Sequence, residues 1–97
     1  MTEQRAMSHA AEEEFPYALT SHALRVIYER EIALSWIVRV LNQPLITEPD
    51  AHDPTLRHAL GHITEREGRI LRVVYNETTV PWRIVTVYFD RRQRGRL

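Results

Sequence analysis

Thirteen arginines, five histidines and the absence of lysine and cysteine set the chemistry open to this chain. Without cysteine there is no disulfide, thiolate zinc site or cysteine nucleophile. No glycine-rich loop leads into a lysine, and no dinucleotide-binding fingerprint is present. His58 and His62 stand four apart, but in an extended segment their Cα atoms would lie about 13 Å apart, too far to share one ion. Asp50, His52 and Asp53 fall in a proline-flanked loop, where such acids form turns. Ser21 next to His22 is adjacency and not a catalytic triad. The residues therefore call for no metal and no cofactor. What remains is acid–base work on a phosphodiester, which needs a group to take a 2′-hydroxyl proton, one to protonate the leaving oxygen, and cations over the phosphate. His22, Glu29, Tyr88 and the arginines supply those types.

The same side chains admit a plainer reading. His22, Arg25 and Glu29 follow helical spacing, and Arg25 with Glu29 would form an exposed ion pair worth about 0.3 kcal/mol. Charge is uneven along the chain. Residues 1–53 hold four arginines against nine acids, a net of −5, and residues 54–97 hold nine against four, a net of +5. That asymmetry suits an anionic partner. Arg91, Arg92, Arg94 and Arg96 crowd the end of the chain and could neutralise a nucleic-acid backbone, or could be a solvated terminus. The uniform use of arginine fits bidentate phosphate contacts, and fits codon bias equally.

The elements that must position these groups follow from the pattern. Ninety-seven residues with 43% hydrophobic and 27% charged content fit one small folded domain. Residues 1–16 read as a flexible acidic tail ending at Pro16, 17–92 as the domain, and 93–97 as a basic tail. No apolar stretch approaches the roughly 20 residues of a membrane span, so the cytoplasm is the expected address and no membrane contact is expected. Thr20 or Ser21 caps a first helix carrying the His22–Arg25–Glu29 stripe. A second runs from about Ile32 to Asn42 and stops before Pro44, with Leu34, Ile37, Val38 and Leu41 apolar. Short strands then follow at 45–48, 57–65, 69–76 and 82–90, with a hairpin at Glu67-Gly68 and a longer connection over 76–81. Alternation places Leu71, Val73, Tyr75, Val85, Val87 and Phe89 toward the helices. It places Arg72, Asn76, Thr86 and Tyr88 on the other face with Ile70, Val74, Trp82 and Ile84. By the same count Arg83 falls at the core rim. The far face could be an open binding surface, or a minor core or dimer interface built on Trp82 and Tyr88.

The order of Ser21-His22-Ala23-Leu24, Glu29-Arg30-Glu31-Ile32, Asn42-Gln43-Pro44, Glu65-Arg66-Glu67-Gly68-Arg69, Leu71-Arg72-Val73-Val74-Tyr75 and Val85-Thr86-Val87-Tyr88-Phe89-Asp90-Arg91-Arg92 resembles a small bacterial domain of unknown function, itself similar to the BrnT-like and RelE-like toxins. The resemblance covers about 19–92. It implies an α+β fold, with two N-terminal helices packed on a curved antiparallel sheet of three to four strands. It also implies metal-independent RNA cleavage on the open sheet face, and an antitoxin-like protein partner. On that resemblance His22, Glu29, Arg72 and Tyr88 are the catalytic candidates. Arg25, Arg83, Thr86, Arg91, Arg92 and Arg94 are the candidates for holding RNA. The alternative is a non-catalytic protein-interaction domain, including a homodimer module, built on the apolar second helix and the Trp82–Tyr88 surface.

Overall fold

The computed structural model describes residues 15–97, so the acidic N-terminal tail expected over 1–16 lies outside the described residues except for Phe15 and Pro16. Helices α1 (Ser21–Glu29) and α2 (Leu34–Asn42) precede most of the sheet, as the helical spacing requires. Thr20 starts α1: its Oγ1 accepts from the amide of Ala23 at 3.0 Å and donates to the carbonyl of Val85 at 3.2 Å, so one hydroxyl caps a helix and seats it on a strand. The helix ends where Glu31 takes a left-handed backbone (φ 55°) and the amide of Ile32 returns to the carbonyl of Ile27. Among the described residues no helix is long and apolar enough to cross a membrane.

Five strands among the described residues form one sheet in the order β1-β5-β4-β3-β2. They are β1 (Ala18–Leu19), β2 (Ile46–Pro49), β3 (Leu56–Ile63), β4 (Arg69–Asn76) and β5 (Arg83–Phe89). The α+β class stands, but the expected three- to four-stranded antiparallel sheet is corrected to a five-stranded mixed one, because β1 pairs with β5 in parallel. Two residues of strand leave no period to detect. Beyond β1 the outer edge of β5 is covered by α1, and Arg30 Nη1 donates to the carbonyl of Val87 at 2.7 Å. The opposite edge, β2, is short and carries Glu48 and Pro49, devices that discourage further strand pairing.

The helices cover one face. Ala23, Val26, Ile27, Ile32, Trp36, Ile37 and Val40 pack on Ala59, Ile63, Leu71, Val73, Tyr75, Ile84 and Val87. Gly61 lies under α2: a Cβ there would come within 3.1 Å of Val40 Cγ2, so glycine sets how closely helix and sheet approach. Pairing departs from simple alternation once. Val74 faces Thr86 while Tyr75 faces Ile84, which leaves Val85 as an extra residue in β5. Ile84 is therefore fully buried in the core, Val85 is not part of it, and Arg83, paired with Asn76, moves to the far face; the core-rim placement of Arg83 is corrected. Trp82 is corrected too, stacking at 5.1 Å on the core residue Tyr75 and at 6.0 Å on Tyr17.

Candidate functional site

The bulge in β5 sets the geometry of the far face. It brings exposed Arg83 onto the side that carries Thr86 and Tyr88, spanning about 16 Å of strand. From the start of α1, His22 reaches over the strand edge to this row. Its Nδ1 lies 3.0 Å from Arg25 Nη2 and its Nε2 lies 3.1 Å from Thr86 Oγ1. A guanidinium only donates, so Nδ1 is the acceptor, and Nε2–H donates to the threonine. His22, Arg25 and Thr86 thus form one hydrogen-bonded group, and Arg83 and Tyr88 share the face of β5 that carries Thr86. Glu29 is exposed at the far end of α1, with no ion pair to Arg25, which turns to His22 instead.

Arg72 is across from Tyr88 on the neighbouring strand, but its side chain is only 6% exposed. Nε donates to Asp90 Oδ2 at 2.8 Å, and Nη1 donates to His58 Nδ1 at 2.8 Å and to Glu48 Oε1 at 3.4 Å. His58 passes the network on, donating from Nε2 to Asp50 Oδ1 at 2.7 Å. That bond, with the amides of Asp53 and His52, holds the Asp50 carboxyl down at about 2. Burial alone would raise the Asp90 carboxyl. The Arg72 hydrogen bond and the amide of Arg92 outweigh it and keep it below the usual range.

Asp90 also organises the C-terminal segment. Its Oδ1 accepts from the Arg92 amide at 3.0 Å, capping a 3₁₀ turn at Arg91–Gln93. Arg91 and Arg94 then border a cleft of about 480 Å³ together with Arg69 and His62, while Arg92 lies over Asp90 and is exposed. Sequence reasoning picked out Arg91, Arg92 and Arg94 and missed Asp90, His58, Asp50, Glu48 and Arg69. The alternation of β3 and β4 did contain a signal, since it puts His58 and Arg72 on one face. The register that makes them neighbours, His58 opposite Val74 and Leu60 opposite Arg72, depends on strand pairing.

The expected positions of apolar surface shift as well. α2 buries Trp36, Ile37 and Val40. The exposed apolar groove is instead at the junction of the helices, where Leu24, Tyr28 and Leu34 are 58%, 85% and 41% exposed beside Ile27 and Ile32. Among the described residues no three histidine or carboxylate side chains converge as metal ligands.

A family model described as a domain of unknown function (DUF4258) matches residues 19–89, from the end of β1 to the end of β5. The match makes no link to the BrnT-like or RelE-like toxins. No curated protein and no solved structure matches the chain.

Proposed function

The chain belongs to the DUF4258 family of unknown function, and from that premise we propose that it binds single-stranded RNA along the far face of β5. The observation that carries this reading is the bulge, which aligns Arg83 with Thr86 and Tyr88 beside the His22–Arg25 pair. Such a row combines an aromatic ring on which a base can stack, worth about 1–3 kcal/mol, with guanidiniums for the phosphates on either side. Arg91, Arg92 and Arg94 extend it past the end of the strand. Cleavage would add proton transfer by His22 or Glu29, with Arg72 and Tyr88 at the phosphate. Arg72 already donates to Asp90, His58 and Glu48, so binding without cleavage is the outcome this geometry favours.

The experiment is titration of the protein into labelled single-stranded RNA over a series of salt concentrations with chelator present, followed by gel analysis for cuts. Affinity should fall with salt, by about 0.7 in the log–log slope for each phosphate held. Arg83→Ala should remove about one such contact. Binding that ignores salt, or no binding, would refute the reading. Chelator-resistant cuts lost on His22→Ala would raise it to a ribonuclease. The groove at Leu24, Tyr28 and Leu34 favours a second reading, a non-catalytic protein-interaction domain, in which Tyr28→Ser weakens partner association and Arg83→Ala does not.

A further inference from the structure

The cleft at the end of the sheet is built differently from the β5 row. It lies between the turn joining β3 to β4 and the C-terminal 3₁₀ turn, encloses about 480 Å³, and is lined by His62, Gly68, Arg69, Arg91 and Arg94 among others. Arg69 is held from behind by an aromatic ring, and Arg91 and Arg94 are placed by their backbone turn. The guanidinium of Arg69 lies 4.6 Å over the ring of Phe89, which fixes its plane. Arg91 opens and Arg94 follows a turn whose cap, Asp90, is itself tied to buried Arg72. His62 donates from Nδ1 to the carbonyl of Gly68 at 2.9 Å, which leaves Nε2 without a partner among the described residues. Gly68 and Gly95, both at positive φ, border the space with nothing within 4 Å of a would-be Cβ.

Charge selects the ligand. The acids at the cleft are Glu67 and Asp90, and Asp90 is matched by Arg72. Arg69, Arg91 and Arg94 against Glu67 then leave a formal +2. A phosphodiester carries one negative charge. A phosphomonoester carries about −1.5 to −2 near neutral pH, with three acceptor oxygens for guanidinium forks. We propose that this cleft binds a phosphomonoester, the terminal phosphate of a nucleic-acid strand that lies along β5. The strand terminus rests on the proposed RNA binding; the phosphomonoester does not.

The test uses the full chain and one oligoribonucleotide in 5′-phosphorylated, 3′-phosphorylated and unphosphorylated forms at constant ionic strength. One of the phosphorylated forms should bind about tenfold tighter than the unphosphorylated one, the size of one charge-assisted contact pair. That advantage should vanish in Arg69→Ala and in Arg69→Met, which keeps the hydrocarbon against Phe89, while affinity for the unphosphorylated form is retained. Glu67→Gln should increase the advantage by about threefold, as removal of one screened like charge would. Equal binding of all three forms, or an advantage that survives both Arg69 variants, overturns the proposal. If no RNA binds, the RNA reading fails and inorganic phosphate decides the cleft. Shifts of the Gly68 and Gly95 amide resonances that are lost in Arg69→Met uphold a phosphate site, and unmoved resonances refute it.

Discussion

Arg72 and Asp90 meet at 2.8 Å with side chains 6% and 2% exposed, so each is the other's main counter-charge. Truncating one partner of such a pair leaves the other buried and unpaired, which costs about 3–5 kcal/mol. Arg72→Ala is therefore expected to lower unfolding free energy by about 3 kcal/mol or more in urea titrations, while exposed Arg83→Ala stays within about 0.5 kcal/mol of the parent. A loss below about 1 kcal/mol for Arg72→Ala would mean that Asp90 finds water or another partner. The distinction matters for function. Loss of RNA binding in Arg72→Ala would follow from a released C-terminal turn as readily as from a lost phosphate contact, because Asp90 caps that turn. Loss in Arg83→Ala, with the fold intact, reports on the surface itself.

At the level of elements, helices α1 and α2 and the hairpin strands β3 and β4 were legible because capping threonine, proline stops and alternation all act locally. β1 and the bulge were not, since both exist only through pairing with β5. Arg83, Ile84 and Val85 show the result: alternation read straight through the extra residue puts each on the wrong face. For the same reason the candidate site was half legible. His22 meets Arg25 through helical spacing, which is local, and Thr86 only across elements, whereas Asp50, His58 and Asp90 reach Arg72 only through register and a loop. Gly61 is another residue whose meaning is tertiary. Gly61→Ala should destabilise by about 1–3 kcal/mol, because its methyl group meets Val40 at 3.1 Å and α2 must lift. If that contact is the cause, the cost of Gly61→Ala with Val40→Ala will be less than the sum of the two single losses in denaturant titrations. Strict additivity would trace the effect to backbone freedom.

At the scale of the whole molecule, three carboxylates among the described residues have lowered pKa values; Asp90 is paired with Arg72, and the other two sit at separate joints. Glu65, in the turn after β3, accepts from Nη1 and Nη2 of Arg39 on α2, each at 2.8 Å, and that hydrogen bonding holds its carboxyl at about 2 against an ordinary 4.5. Asp50 ties the loop before β3 to His58 and stands at about 2 against 3.8. A folded-state value below the unfolded one means stability that is present in full above the unfolded pKa and lost as pH falls through the folded one. Melting temperature is therefore expected to hold steady from neutrality down to about pH 5, then to drop between about pH 4.5 and pH 2. Glu65→Gln and Asp50→Asn should each lower the neutral-pH value slightly, since both carboxylates keep contact with solvent, and make the acid decline shallower. At the other side of the sheet, α1 is seated on β5 by the Thr20 hydroxyl and by Arg30 on a carbonyl, contacts with no carboxylate to protonate. Amide exchange in acid should accordingly rise first around α2 and the turn after β3, with β5 protected longest. Protection lost first from β5 would place the acid-sensitive joint at the Arg72–Asp90 pair.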